Sequence, residues 1–298
     1  MIGSEPGLPK TVATGSLSVA IRSEPRHTGD YMIDAREVQI IRQLQLAGRP
    51  ISAKTLSATI GASIPEFDRL LQSLNQSGFS FQCADGTVRL LNEPDSLVPH
   101  SIVARLETTV IGREVLVFRE TSSTNDLARQ AGKGGEQEGI VFFSERQTSG
   151  RGTRGREWIS RSNQGLWFSI LLRSHLPLDE WPLLIQMAAV AAAEAVERWS
   201  EKPVLIKAPN DLYLGGGKLG GFLLETSNGW DFQVLGIGIN VRSAPEVEGY
   251  PTAALDQFSK MSVPLTHLAA ELLNRFEDWY LGAPLEAVVR AFAVRQIG

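Results

Sequence analysis

The sequence has little of the residues that build disulfides and metal centres. Its single cysteine, Cys83, excludes an intramolecular disulfide and a zinc site with several cysteines. One cysteine in 298 residues is typical of a protein from a reducing cytoplasm. The four histidines are scattered rather than set at metal-ligand spacing, so we expect no metal held by protein side chains. They are His27, His100, His175 and His267.

Long apolar runs and a strong charge of either sign are also missing. No run of about eighteen apolar residues occurs, so no membrane span is predicted. The N-terminus has no apolar core before a cleavage site, which excludes a signal peptide and favours a cytoplasmic location. The net charge of −4 draws the chain to neither nucleic acid nor membrane, so any basic site must be local. A length of 298 residues with 43% hydrophobic content predicts about two domains.

The first part of the chain has the pattern of three helices and a hairpin. Residues 1–33 are rich in glycine, proline, serine and threonine, and predict a disordered N-terminal tail. Helical apolar spacing then starts at Ala35, recurs through Ala53–Ile60, and recurs again after a capping box at Ser63. Two short apolar runs flank an Asp-Gly pair at 85–86, which suits a hairpin turn. Residues 34–92 therefore predict a winged helix-turn-helix.

The third helix of that module is the one that would enter a DNA major groove. It offers Arg69, Gln72 and Asn75 to base edges or phosphates. Basic residues only just outnumber acidic ones across the module, and phosphate neutralisation supplies most non-specific affinity. The sequence therefore leaves two hypotheses open, sequence-specific DNA binding and a structural or interaction module. Residues 93–113, with two prolines, are predicted as a linker into a second domain over 114–298.

The second domain is organised around a loop between two predicted strands. Ile140–Phe143 and Leu166–Leu172 are short and rich in β-branched or aromatic residues, which is typical of buried strands. Between them, glycines at 150, 152 and 155 alternate with Arg146, Arg151, Arg154 and Arg156. Four guanidinium groups repel one another unless an anion lies among them, and glycine lets backbone N–H groups approach that anion. The pattern favours a phosphate-binding loop over a solvated basic surface loop.

Two common nucleotide-binding motifs are excluded. The glycines of this loop match G-x-G-x-x-G, but no helix follows them, so the dinucleotide-binding fold is rejected. The segment Gly215–Lys218 resembles a Walker A loop, yet it lacks the earlier glycine, and Leu219 replaces the Ser/Thr that would hold Mg²⁺. We predict a hairpin turn there instead. Further strands are predicted over 114–119, 204–207, 219–226 and 232–239, and helices from 121 onward and over 181–199, 265–280 and 285–295.

Two more segments have residue types suited to anions or polar ligands. Lys207 ends a predicted strand and precedes a proline-fixed turn, which gives its amine a defined position near a carboxylate or phosphate oxygen. The hydroxyl-rich start of a helix at 121–126 is ordinarily a cap. The same helix start presents N–H groups and hydroxyls to a carboxylate or ureido-like ligand.

Five segments, in this order and spacing, resemble the biotin–protein ligases of the bifunctional ligase/repressor type. They are SSTN (122–125), SERQTSGRGTRGREW (144–158), GLWFSILLR (165–173), IKAPNDLYLGGGKLGGFLLE (206–225) and GIGINV (236–241). The resemblance covers roughly residues 35–298. It implies an α+β fold, in which the winged helix-turn-helix precedes a catalytic domain with a mixed sheet like that of class II synthetases.

The resemblance implies an ATP-dependent, AMP-forming ligase. Biotin and MgATP would give biotinyl-5′-AMP, and a lysine of the biotin carboxyl carrier protein of acetyl-CoA carboxylase would then accept biotin. Arg151 and Lys207 would be catalytic, and strand Trp167–Leu172 would form a wall of the biotin pocket. Carried over by position, the biotin-binding residues are Ser123, Thr124, Asn125, Gln147, Arg151, Gly152, Thr153 and Lys207, and the nucleotide-binding residues are Arg154, Arg156, Trp158 and Asn240.

Three features depart from the family pattern. Thr153 stands where the family usually has arginine, and Ala208 where it usually has tryptophan. The chain ends at Gly298, about where a small SH3-like domain begins in the family, so we expect that domain to be missing. These departures favour one alternative, a DNA-binding biotin sensor with little ligase activity. A second alternative is a lipoate or octanoate ligase, since those ligases share the catalytic fold. The resemblance also leaves open a biotin-responsive repressor that binds operator DNA as a homodimer.

Overall fold

The computed structural model of the chain describes residues 19–21, 31–226, 229 and 231–297. The helices are α1 (Ala35–Ala47), α2 (Ala53–Thr59), α3 (Ile64–Gln76), α4 (Pro99–Val103), α5 (Thr124–Lys133), α6 (Pro182–Glu197), α7 (Leu265–Glu277) and α8 (Leu285–Arg295). The strands are β1 (Val19–Ile21), β2 (Tyr31–Ile33), β3 (Ile51–Ser52), β4 (Ser80–Ala84), β5 (Thr87–Asn92), β6 (Glu114–Thr121), β7 (Ile140–Gln147), β8 (Gly165–Leu172), β9 (Val204–Lys207), β10 (Asp211–Leu214), β11 (Gly217–Glu225), β12 (Gln233–Asn240) and β13 (Gln296–Ile297). Among the described helices, none combines the length and apolar composition that a membrane span needs.

Most of the predicted N-terminal tail, residues 1–18 and 22–30, lies outside the described residues. Its described parts are the short strands β1 and β2, which pair with each other. Strand β1 also pairs in parallel with β6. The prediction of disorder is therefore wrong for these two segments. Their valine, isoleucine and tyrosine residues favour strands, and they cover an edge of the sheet that would otherwise carry unpaired N–H and C=O groups.

Helices α1 to α3 and a three-stranded sheet follow in the order predicted for a winged helix-turn-helix. The sheet has the strand order β3-β5-β4. Helix α3 starts with the predicted capping box, in which the Ser63 N–H donates to Glu66 Oε2 at 2.9 Å. The turn between β4 and β5 places Asp85 and Gly86 at φ 49° and 68°, the conformation that a two-residue hairpin turn requires.

The residues predicted as a linker, 93–113, are packed rather than loose. They include α4, whose Ile102 is fully buried. Arg42 of α1 donates to three carbonyls at the end of α4 at 2.9–3.0 Å. Glu277 of α7 accepts N–H groups from residues 109–111 at 2.6–2.9 Å. Its apolar residues and these charge-assisted bonds fix the segment against α1 on one side and α7 on the other.

The second part of the chain is built on a mixed sheet, which confirms the predicted α+β fold class. The strand order is β13-β9-β10-β11-β12-β8-β7-β6-β1-β2. Strands β8 and β12 are buried along their whole length. Helices α6 and α7 belong to the large core on one face, while α5 packs on β7, β8 and β12 over a smaller apolar cluster on the other. Because α5 covers only part of that second face, the sheet leaves room for a cavity beside the start of this helix.

Candidate functional site

A cavity of about 650 Å³ lies where α5 begins. Its walls come from the start of α5, the Gly/Arg loop between β7 and β8, the turn between β9 and β10, strands β11 and β12, and residues 245–252. Every residue predicted to contact biotin or nucleotide lines this cavity. These are Ser123, Thr124, Asn125, Gln147, Arg151, Gly152, Thr153, Arg154, Arg156, Trp158, Lys207 and Asn240. Segments far apart in the sequence therefore meet at one place.

One end of the cavity is a buried hydrogen-bond network. The Thr124 N–H donates to Gln147 Oε1 at 2.8 Å, and Gln147 Nε2 donates to Ser160 Oγ at 2.7 Å. The Thr124 and Ser169 hydroxyl oxygens are 2.7 Å apart, and Ser169 donates to Asn125 Oδ1 at 2.6 Å. Within the described structure, the buried Asn125 Nδ2 has no hydrogen-bond partner. Since buried amides are almost always hydrogen-bonded, this N–H group is suited to a polar acceptor on a ligand.

Two glycines of β12 make room, one for this network and one for Trp158. A Cβ added at Gly236 would lie 2.3 Å from Asn125 Oδ1, and one at Gly238 would lie 2.6 Å from the Trp158 indole. The two glycines alternate with Ile237 and therefore face the same side of the sheet. Sequence reasoning quoted this G-I-G-I pattern as part of a motif but missed its steric purpose. It also missed Ser169, although the lone hydroxyl within the apolar strand β8 was a usable signal.

The Gly/Arg loop does not gather its four arginines around one point. Strand β7 continues to Gln147, so Arg146 lies on the strand and not in the loop. Side chains alternate along a strand, and while Gln147 lines the cavity, Arg146 pairs with its cross-strand neighbour Glu120 at 2.7 Å. The prediction that all four guanidinium groups share an anion is therefore wrong for Arg146.

Arg151 is already paired with carboxylates. It donates to both oxygens of Asp126, at 2.9 and 2.8 Å, and to Glu225 Oε1 at 3.3 Å. The hydrogen bond from Arg151 holds the pKa of the Asp126 carboxyl below its usual range. The same contact raises the pKa of Arg151. The expected repulsion among the arginines is thus partly relieved by protein carboxylates.

The tip of the loop carries cations without such partners. In the part of the chain that the structure describes, neither Arg154 nor Arg156 pairs with a carboxylate, and both are exposed. Arg154 and Gly155 adopt left-handed φ angles of 58° and 72°. Arg156 donates weakly to the hydroxyl of Thr153 at 3.3 Å. Two uncompensated guanidinium groups therefore face the cavity from a glycine-rich turn, as an anion-binding loop requires.

Another part of the cavity wall presents one buried donor and one buried acceptor. Trp158 Nε1 and Asn240 Oδ1 have no hydrogen-bond partner among the described residues. Lys218, which sequence reasoning did not select, pairs with Asp211 at 2.7 Å, and its Nζ lies 5.5 Å from the Trp158 ring centroid. A flat aromatic surface with a neighbouring donor and acceptor is suited to a heteroaromatic base.

Lys207 lines the cavity from the end of β9. It ends β9, where its Nζ is 5.7 Å from the ring centroid of Tyr213. Its side chain is exposed, and no described carboxylate lies within ion-pair distance of its amine. The predicted strand and turn are confirmed, and the amine is available to an anionic ligand. Ala208 also lines the cavity.

The residues predicted for DNA lie away from this cavity. Arg69, Gln72 and Asn75 are exposed on α3, while the apolar residues of the same helix are buried. Among the described residues, no group of three or more histidine, cysteine, aspartate or glutamate side chains could hold a metal ion.

Comparison with known proteins identifies the family. The model of the biotin/lipoate A/B protein ligase family matches residues 117–241. A bifunctional ligase/repressor BirA from Bacillus subtilis is 30% identical over 229 residues, which cover 76% of this chain and 69% of the relative. The chain belongs to the biotin–protein ligase family.

Two further relatives agree with this membership. The biotin--[acetyl-CoA-carboxylase] ligase of Mycobacterium tuberculosis is 32% identical over 197 residues, which cover 63% of this chain and 73% of the relative. The structure of a biotin protein ligase from Aquifex aeolicus in complex with biotin and ATP matches with 26% identity and a TM-score of 0.52. That match covers 61% of this chain and 78% of the other. The family predicted from the motifs is confirmed.

Proposed function

We propose that this protein activates biotin with ATP and transfers it to a lysine of the biotin carboxyl carrier protein of acetyl-CoA carboxylase, in the cytoplasm. The observation that carries the proposal is the division of the cavity into a buried hydrogen-bonding end and a cationic loop. A neutral polar head group fits the first, and a carboxylate with phosphates fits the second. Relatives described as biotin ligases support this assignment.

Biotin lies with its ureido head at the start of α5. Ser123, Thr124, Asn125 and Gln147 supply the polar contacts there, and the free Asn125 Nδ2 donates to the head group. The apolar part of biotin lies along Phe168 of β8, within the strand Trp167–Leu172 predicted as a pocket wall.

The carboxylate of biotin lies near the Gly/Arg loop and Lys207. Arg151, Gly152 and Thr153 form the loop side of this region, and the Lys207 amine forms the other side. A compact ammonium group can contact a carboxylate and a phosphate oxygen at once. Both ligand anions therefore meet where the protein supplies fixed positive charge.

The nucleotide occupies the end that contains Trp158 and Asn240. The unpartnered Trp158 Nε1 and Asn240 Oδ1 face the base, and Arg154 and Arg156 face the phosphates. Mg²⁺ enters as part of the substrate MgATP, bound through the phosphate oxygens. Such an ion needs few protein ligands, because Mg²⁺ is commonly held by substrate phosphates and water.

In the first half-reaction a biotin carboxylate oxygen bonds to the α-phosphorus while the bond to the bridging oxygen of pyrophosphate breaks. Two anions must approach each other, and negative charge moves onto the phosphate oxygens. Lys207 and the loop cations offset that repulsion and stabilise the developing charge, while the buried head-group contacts orient the carboxylate. The products are biotinyl-5′-AMP and pyrophosphate.

In the second half-reaction the carrier lysine amine attacks the carbonyl carbon of the mixed anhydride. A C–N bond forms, the C–O bond to AMP breaks, and the amine proton is lost to solvent. No protein nucleophile is required for either step. The exposed position of Lys207 is compatible with approach of the carrier lysine to the same carbonyl.

Biotin-dependent exchange of pyrophosphate into ATP tests the first half-reaction, and biotinylation of the carrier domain tests the second. Lipoate and octanoate serve as competing substrates in the same assays. Exchange that occurs with biotin but not with lipoate or octanoate, followed by biotinylation of the carrier, supports the proposal. Exchange driven by lipoate or octanoate favours the alternative ligase, and biotin binding without exchange favours a sensor.

A second function, repression of transcription, is favoured by the exposed polar face of α3. Arg69, Gln72 and Asn75 lie on that face, where they can contact base edges or phosphates. Basic and acidic residues nearly balance in residues 34–92, so one copy gains little affinity for DNA phosphates. Useful DNA affinity therefore requires a dimer, which doubles the contacts. A gel shift with operator fragments, with and without biotin and ATP, tests the DNA binding that repression needs. Sedimentation tests whether the adenylate promotes a homodimer.

A further inference from the structure

Four charged side chains form a cluster beside the cavity. Asp126 lies in the first turn of α5, directly after Asn125, and its two oxygens accept bonds from Arg151 at 2.9 and 2.8 Å. Glu225, at the end of β11, accepts a third bond from Arg151 at 3.3 Å. Arg129 contacts the same Asp126 carboxylate and lies 3.7 Å from Glu225. Two cations and two anions therefore sum to zero charge.

This cluster makes the hydrogen bonds that tie the cavity-side part of the loop to the rest of the protein. The base of the loop is fixed by backbone bonds of Thr148 and Ser149 to the end of β6 and the residue after it, both at 2.9 Å. Across the described residues 151–156, every other hydrogen bond runs within that segment itself. The position of residues 151–156 therefore depends on Arg151 and its carboxylates, whereas the returning part of the loop is held by Gln147, whose N–H and Nε2 donate to the Ser160 carbonyl and hydroxyl at 3.2 and 2.7 Å.

Three of the five N–H groups of Arg151 are used by Asp126 and Glu225. The remaining two have no partner among the described residues and are free for a ligand oxygen. A bidentate arginine–carboxylate pair is stronger and more specific in geometry than a single contact. Asp126 can therefore hold the guanidinium in place without using all of its donors.

We propose that Asp126 is a positioning residue, whose carboxylate holds Arg151, and with it the Gly/Arg loop, over the bound acyl-adenylate. This inference rests on the proposed function. The intermediate is a reactive mixed anhydride that must stay in the cavity until the carrier lysine arrives. Because the cluster is neutral overall, it fixes the loop without adding negative charge against the phosphate. The low pKa of Asp126 keeps the carboxylate ionised at neutral pH.

The experiment measures the half-life of biotinyl-5′-AMP on the protein after excess ligand is removed. Asp126→Asn keeps the shape but removes the charge and half of the bidentate pair, and we expect a half-life about tenfold shorter. The rate of pyrophosphate exchange at saturating substrates falls less than the half-life does, because Lys207 and the buried head-group contacts remain in place. Asp126→Glu, which keeps the carboxylate, recovers part of the half-life.

Glu120→Gln is the matched control, since it breaks a similar pair with Arg146 outside the cavity. Its adenylate half-life stays at the wild-type value. The double variant Asp126→Asn with Arg151→Gln releases adenylate no faster than Arg151→Gln alone, because both changes remove one interaction. Thermal unfolding of each variant separates loss of fold from loss of the loop contact.

A wild-type half-life in folded Asp126→Asn overturns the inference while the proposed function stands. A longer half-life overturns it as well, because Asp126 would then compete with the phosphate for Arg151. Additive effects in the double variant contradict action through Arg151. A wild-type protein that forms no adenylate contradicts the proposed function itself, and the inference fails with it.

Discussion

Replacing Gly236 with alanine tests how the buried end of the cavity is built. The new Cβ would lie 2.3 Å from Asn125 Oδ1, 3.1 Å from Cγ and 3.2 Å from Nδ2. Ordinary contact needs about 3.5 Å, so the amide must move by about 1 Å. The 2.6 Å bond from Ser169 to Asn125 then becomes too long to count as a hydrogen bond.

The magnitude follows from two costs. Overpacking a rigid interior costs about 1–3 kcal/mol, and leaving buried polar atoms without partners costs about 1–3 kcal/mol. Gly236→Ala should therefore lower the free energy of unfolding by about 2–4 kcal/mol. Biotin affinity should fall about tenfold, because the Asn125 N–H groups no longer point at the head group.

Thermal unfolding and calorimetric titration with biotin measure the two effects. Gly282→Ala is the matched control, since nothing lies within 4 Å of its added Cβ. Adding Asn125→Ala to Gly236→Ala should restore most of the free energy of unfolding, because the new Cβ no longer meets the Asn125 amide. It should not restore biotin affinity, because the Asn125 N–H donor is lost. Wild-type stability and affinity in Gly236→Ala would refute the packing of Asn125 against β12.

Three further outcomes are expected. Lys207→Ala should lower biotin-dependent pyrophosphate exchange by about 100-fold or more, because a fixed cation between two anions is lost, whereas Lys202→Ala should leave it unchanged. Thr153→Arg should lengthen the half-life of biotinyl-5′-AMP on the protein by adding a phosphate-proximal cation, and an unchanged half-life counts against that reasoning. Although burial opposes it, the nearby imidazole of His267, 3.9 Å away, and the hydrogen bonds from Arg105 lower the pKa of Glu93 to about 2. A carboxyl group whose pKa is lower in the folded than in the unfolded state stabilises the fold at pH values above its unfolded pKa. The stabilisation from Glu93 should therefore be lost as the pH falls from 4.5 towards 2. The free energy of unfolding of Glu93→Gln should depend less on pH over that range.

Local patterns were sufficient where a structural element depends on its own residues. The strand Val204–Lys207 has the bounds that its apolar run predicted, and the capping box at Ser63 starts α3. The motifs also located the cavity wall, because each one contains residues that line it. Arg146 was misplaced because a polar residue near the end of a strand looks like the start of the following loop.

The supporting contacts could not be predicted, because they join distant parts of the chain. Arg151 is 25 residues from Asp126 and 74 from Glu225, and neither carboxylate has a distinguishing local pattern. Ser169 contacts Asn125 across 44 residues. The packed segment 93–113 was underestimated for the same reason, since its partners Arg42 and Glu277 lie on helices far away in sequence. Only the folded sheet brings these groups together.

Calorimetry with biotin, followed by ATP in the same cell, tests the central claim most directly. That claim is that one cavity holds a neutral head group at Asn125 and brings a carboxylate and phosphates together at Lys207 and the Gly/Arg loop. We expect saturable heat on adding biotin, then further heat and pyrophosphate release on adding ATP. Absence of heat with biotin, and none with biotinyl-5′-AMP, would contradict the claim.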